Sequence, residues 1–251
     1  MLSIFVRCFR YKQKPKFLTQ MKRVTFILSL ILGTGLLVSG SAAQTNRERL
    51  PALQNFEALH VGAAINVVIS NAYRDVEIEC SPMMFERLDI EVVNNVLNIG
   101  LRPGANIRST RITVYLPMRA YRHIKAMSAS RIDIQTPVTT ENIIFEVSSA
   151  ARLTGTVEAN EVQIFANSTG RITLGGTANM VRVDASSSAR VECRNLKSAG
   201  AVCTATSTAR VTLHATRSFE GHASSTARIE CYGNPTERWA NTSSAARINF
   251  R

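Results

Sequence analysis

The chain has 251 residues, with 30 Lys+Arg against 18 Asp+Glu and a formal net charge of +12. Taken whole, that balance points to nucleic acid or an anionic membrane. Position removes the argument: residues 1–43 hold seven basic side chains (Arg7, Arg10, Lys12, Lys14, Lys16, Lys22, Arg23) and no acidic one, so the remainder carries only +5 and no nucleic-acid partner is expected.

From Met21 the sequence reads as a charged start, an apolar run from Val24 to Val38 and small residues ending Ser41-Ala42-Ala43. This is the layout of a secretory signal peptide over residues 21–43, cleaved after Ala43. Residues 1–20 then read as an upstream extension from a mis-assigned start codon. The alternative is an uncleaved anchor, but the run is about 15 residues and interrupted by glycine, short of the ~20 that cross a bilayer. No cysteine follows the run to take a lipid. The expected location is therefore exported, in the periplasm, on the outer surface or outside the cell, with no membrane span after cleavage.

Residues 50–122 read as ordinary strands: Ile65–Ile69, Val76–Cys80, Leu97–Ile99 and Ile112–Leu116, ending at Pro117. They are expected to form a non-repetitive cap over the first unit of the repeat array that begins at residue 123, since an open coil end would expose unpaired strand edges.

Residues 123–251 repeat one phrase seven times: SASRIDI, SSAARLTG, STGRITL, SSARVEC, STARVTL, STARIEC and SAARINF. Its arginines are Arg131, Arg152, Arg171, Arg190, Arg210, Arg228 and Arg247, at steps of 21, 19, 19, 20, 18 and 19 residues. So short a period makes one unit one coil of a solenoid. The residue after each Arg is apolar (Ile132, Leu153, Ile172, Val191, Val211, Ile229, Ile248) and the next is polar, the period-two pattern of a half-buried strand. A second strand precedes each phrase, as in Ile143, Phe145 and Val147. Two strands per unit without helical periodicity predict an all-β fold, a right-handed parallel β-helix of about seven coils, with residues 50–251 one continuous domain. Seven coils give a rod of roughly 34 Å at the ~4.8 Å strand spacing.

Three residues before each Arg stands a serine: Ser128, Ser149, Ser168, Ser187, Ser207, Ser225 and Ser244. This column is expected at a crowded corner, hydrogen-bonded to turn backbone or to the serine of the next coil. Cys193 and Cys231 occupy equivalent positions two coils apart, about 9.6 Å, beyond the ~7 Å Cα limit for a disulfide. Cys80 and Cys203 are open on spacing alone.

The opening Phe56-Glu57-Ala58-Leu59-His60-Val61, the segment Val93–Ile99, the strand ending Leu116-Pro117 and the recurring phrase resemble an exported bacterial family, the autotransporter adhesin head GIN domain common in Bacteroidetes, over about residues 55–250. Its members usually carry Ser-Gly-Ala-Ser where this chain has Ser225-Thr226-Ala227-Arg228 and its siblings. The resemblance implies a β-helix and supplies no catalytic residues.

The arginine column is the candidate binding feature. Stacked at ~4.8 Å, the seven cations repel unless paired, and Asp133, Glu192 and Glu230, two residues on, are expected to relieve part of that. As a site, the column suits an acidic polysaccharide or lipopolysaccharide; as mere surface, its aliphatic stems cover the coil. Thr206 with Thr208 and Ser224 with Thr226 resemble an ice-binding array, but Met127, Asn167, Ala129, Ala150 and Ala245 break it. An enzyme of the polysaccharide-lyase kind needs clustered carboxylates and a base. The four Asp (Asp75, Asp89, Asp133, Asp184) form no cluster, and His60, His123, His214 and His222 have no metal spacing. No cofactor, metal or catalytic residue is expected. The reading is an exported, non-enzymatic structural or adhesion module at the bacterial envelope, or alternatively an anionic-glycan-binding or carbohydrate-active β-helix. Its partners would be an acidic glycan, an envelope protein, or a second copy pairing through Ser244–Phe250.

Overall fold

The computed structural model describes residues 46–105 and 111–251; the expected signal peptide and upstream extension lie outside them. In chain order the strands are β1 (Asn46–Leu50), β2 (Ala58–Val61), β3 (Asn66–Ser70) and β4 (Val76–Cys80), then the single turn of helix α1 (Pro82–Phe85), β5 (Leu88–Val93), β6 (Val96–Leu101), β7 (Thr113–Pro117), β8 (His123–Ala126), β9 (Arg131–Ile134) and β10 (Val138–Val147). The repeat continues as β11 (Arg152–Ala166), β12 (Arg171–Ala185), β13 (Arg190–Ala205), β14 (Arg210–Ala223), β15 (Arg228–Tyr232), β16 (Glu237–Thr242) and β17 (Arg247–Phe250). All belong to one hydrogen-bonded sheet, and the strands that carry the repeat wind into a β-solenoid of about seven turns.

Each repeat coil pairs in parallel with the next, and the register places like on like: Arg152 beside Arg171, Leu153 beside Ile172, Val162 beside Val181. One residue of slip would send every apolar side chain to solvent. The interior is therefore a set of columns, such as Ile132, Leu153, Ile172, Val191, Val211 and Ile229, each at most 2 % exposed. Side-chain size must also match along a column. Gly155 sits between Ile134 and Leu174, and a Cβ added there would lie 2.5 Å from Ile134 Cβ. At Gly176, with φ +112°, a Cβ would lie 1.9 Å from the Val157 carbonyl oxygen, so the bend in β12 admits only glycine.

The expected cap differs from the structure in a definite way. Residues 58–117 supply two further coils rather than a separate lid. β2 and β3 pair in parallel with β8 and β9 on one side and with β6 and β7 on the other. The coil of β6 and β7 thus precedes that of β2 and β3 in space although it follows in sequence. Gly62-Ala63-Ala64-Ile65-Asn66 is an eighth form of the corner phrase, with Asn66 aligned on Arg131. Capping is left to three antiparallel strands: β5 on β6, β4 on β7, and β1 on β4. These put Asp89, Glu91, Arg47 and Glu48 on the edge, the charges that blunt strand addition.

At the other end the core closes on itself. Arg238 takes the place in its column that Phe219 holds one coil earlier. Its guanidinium lies 4.7 Å over the Phe250 ring, donates to the Pro235 carbonyl at 2.8 Å, and bonds the Asn234 side chain. Phe250 meets Phe219 edge to face at 5.3 Å, so the last apolar layer is covered by a cation anchored by two hydrogen bonds, its other donors facing solvent.

Candidate functional site

The seven arginines open their strands and point outward, all exposed and all in register: Arg131, Arg152, Arg171, Arg190, Arg210, Arg228 and Arg247. Among the described residues none forms an ion pair, although other arginines of the chain do. The carboxylates expected to neutralise them are engaged elsewhere. Asp133 accepts from Thr154 Oγ1 at 3.0 Å and Gln135 Nε2 at 3.2 Å. Glu192 accepts from Thr212 Oγ1 at 2.5 Å, and Glu230 from the Tyr232 hydroxyl at 3.2 Å. Thr154 and Thr212, short hydroxyl donors one coil away, reach Asp133 and Glu192 without the rotamer entropy an arginine must give up. Glu230 is held by Tyr232 on its own strand and lies 3.6 Å from Arg251, which is outside the column. What remains is a ladder of six ~4.8 Å steps, about 29 Å of unpaired positive charge.

The serine column lies outside, not in the core. All seven serines are exposed and have positive φ, from 51° to 64°. Each is the first central residue of a tight β-turn closed by an i to i+3 bond, such as Ala189 N–H to the Ser186 carbonyl at 3.2 Å. A turn this sharp brings the two walls of the coil together. The residues crowded at the edge are instead the one before the Arg and the last of the preceding strand, as Ala189, Ala209 and Ala227 with Ala185, Ala205 and Ala223, all buried. Left-handed φ at a non-glycine residue costs roughly 1–2 kcal/mol. The offset is in the backbone: the twisted serine turns its carbonyl along the stack, where Ser168, Ser187, Ser207 and Ser225 accept from the N–H of Ser188, Thr208, Thr226 and Ala245 at 2.8–2.9 Å.

A second polar group lies on the outer face of β2, β8 and β10. Glu146 is 2.7 Å from Lys125 Nζ and 3.0 Å from His123 Nε2, and His60 packs edge-on against His123 with ring centroids 5.1 Å apart. Burial, then the His123 and Lys125 charges, lower the His60 pKa. Burial opposes ionisation of Glu146, but the Lys125 hydrogen bond and charge outweigh it and hold the carboxyl below its ordinary value. No three His, Cys, Asp or Glu side chains among the described residues are placed to hold a metal.

All four cysteines of the described residues are free and buried. Burial pushes Cys193 up to about 12 and Cys80 and Cys231 up to about 11, opposite to what a nucleophile needs. Trp239, the single tryptophan, is 72 % exposed on the outer face of β16. With His222 and Asn241 it lines a shallow depression of about 250 Å³. Sequence reasoning passed it over because the repeat register breaks at Pro235.

A solenoid that spends its interior on apolar columns and its exterior on an in-register cation row defines a class, the repeat scaffold that presents an extended face. The match to known proteins gives the family: residues 55–235 fit the model described as "Putative auto-transporter adhesin, head GIN domain", and the chain belongs to that family. A putative adhesin from Bacteroides fragilis superposes with a TM-score of 0.75 at 16 % identity, covering 84 % of this chain and 98 % of that one. Two Parabacteroides distasonis structures share the fold. One, described as a putative lipid binding protein, gives TM-score 0.62 at 14 % identity over 83 % of this chain and 96 % of its own. The other, a putative adhesin, gives 0.60 at 17 % over 83 % and 95 %. No curated protein matches the chain.

Proposed function

We propose that this protein is an exported, non-enzymatic adhesion module of the bacterial envelope and that the arginine ladder is its contact surface for an acidic polysaccharide. The observation that carries this is the absence of any ion pair from all seven arginines among the described residues, although carboxylates stand two residues away on the same strands. Like charges in a row cost stability, and a row left open is what a polyanion with regularly spaced acidic groups needs. The family's adhesin description and the adhesin-named neighbours of the same fold support an extended binding face. The buried, pKa-raised thiols and the scattered carboxylates support a role without catalysis.

The test is a glycan array read at low and high salt with the protein and its R190Q/R210Q/R228Q variant. Binding to acidic glycans that weakens with salt and is lost in the variant is the expected result. Equal binding by both proteins would refute the ladder as the site, and no binding by either would redirect the search to protein partners, including a second copy at the open edges of β16 and β17.

A further inference from the structure

The corner turns do not all face the same way. At Ser128 and Ser149 the following residue, Ala129 or Ala150, also has positive φ (60° and 64°), the geometry of a type I′ turn. From Ser168 onward the following residue does not, which is type II′. The two types differ by a flip of the central peptide. Ala64 and Ala129 accordingly donate forward, to the Ser128 and Ser149 carbonyls of the next coil at 2.8 and 2.9 Å. Ser188, Thr208, Thr226 and Ala245 donate backward, to the preceding serine. The switch has a sequence cause. Thr169 is the first β-branched residue at that position, and a branched side chain resists positive φ.

Where the two directions meet, the N–H groups of Ala150 and Thr169 point at each other. Neither has an acceptor among the described residues, while the N–H at the same turn position of the other coils, that of Ala64, Ala129, Ser188, Thr208, Thr226 and Ala245, has one; the serine N–H just before it has none in any coil. Both residues are exposed, so a ligand reaches them. With coils ~4.8 Å apart, an oxygen about 1.6 Å off the line between the two nitrogens is ~2.9 Å from each, within hydrogen-bond range. Arg152 and Arg171, both without an ion pair among the described residues, begin their strands two residues beyond.

We infer that this junction is an anion subsite: one carboxylate or sulfate oxygen accepts from Ala150 N–H and Thr169 N–H while Arg152 and Arg171 hold the remaining charge. It sets the register in which an acidic glycan lies on the ladder. The polymer part of this inference rests on the proposed function; the small-anion part does not. Convergent backbone N–H groups form concave anion sites elsewhere in proteins, and here the convergence comes from two coils instead of one loop.

The experiment is a ¹⁵N–¹H titration of the protein at constant ionic strength, with acetate in one arm and oligogalacturonate in the other, chloride being the reference. The expected result is a saturable downfield shift of the Ala150 and Thr169 amide protons in both arms, with those of Ser188 and Thr208 unmoved. The R152Q/R171Q variant should weaken acetate binding about tenfold, the loss of two exposed charge contacts. R210Q/R228Q should leave acetate binding unchanged and weaken only the oligomer. If Ala150 and Thr169 shift no more than Ser188 and Thr208 in either arm, the junction holds only water and the inference fails. If they titrate with acetate but the oligomer binds no tighter and ignores R210Q/R228Q, the subsite stands and the ladder reading fails.

Discussion

Arg190→Gln separates a ladder kept for binding from one whose stems merely cover the coil. Arg190 pairs in register with Arg171 on one side and Arg210 on the other. At ~4.8 Å in water each neighbouring pair repels by about 0.9 kcal/mol before screening, and ~0.7 kcal/mol survives at 10 mM salt against ~0.2 kcal/mol at 1 M. Two neighbours are relieved, so the substitution should stabilise the protein by up to about 1.4 kcal/mol at 10 mM and by ~0.4 kcal/mol at 1 M, splayed guanidiniums giving less. Urea denaturation of both proteins at the two salt concentrations measures this, the signature being a gain that shrinks as salt rises. A loss of stability that is the same at both concentrations would mean that the arginine stem packs on the coil and that charge repulsion is not what the ladder costs.

Other expectations come from the interior and the ends. Gly176→Ala should destabilise by several kcal/mol, since its Cβ would enter the space of the Val157 carbonyl at 1.9 Å. Limited proteolysis of the β11–β12 region reads this out, and wild-type resistance in the variant would contradict the packing. The four described thiols should resist alkylation at pH 8 until the protein is denatured, as followed by mass spectrometry. Because burial holds Cys80, Cys193 and Cys231 near 11 to 12, the unfolded chain loses those protons first, so stability should be level up to pH ~9 and fall above it. On the acid side the lowered His60 pKa makes the unfolded chain the better proton binder below about 6.5, so stability falls there, and His60→Asn should flatten that limb of a melting-temperature profile. Trp239, exposed on the last full coil, should show water-like emission quenched by iodide.

Much of the architecture is legible in one period and one alternation. A step near 19 residues leaves room for one coil, and the apolar residue after each Arg selects the inner face, so the columns of Ile132 to Ile248 follow from spacing alone. Cys193 and Cys231 were separable on the same arithmetic. The family was legible too, because the corner needs small residues whatever else the coil carries.

What only the tertiary structure decided lies in relations that no local pattern encodes. The coil of β6 and β7 stands ahead of that of β2 and β3 because both have compatible apolar faces, and chain order does not rank them. Ser128 and its six equivalents sit outside because a two-residue turn in positive φ throws its central side chains away from the core, and the crowding falls on the alanines beside it. Asp133 and Glu192 leave the arginines unpaired because threonine hydroxyls one coil away reach them first, and Glu230 because Tyr232 and Arg251 hold it. The opposed N–H groups of Ala150 and Thr169 arise from a peptide flip, visible only when adjacent coils are set side by side. Sequence determined what repeats, since burial acts on each coil alike; structure determined what the repeats do to one another, since hydrogen-bond direction and charge pairing belong to neighbours and not to residues.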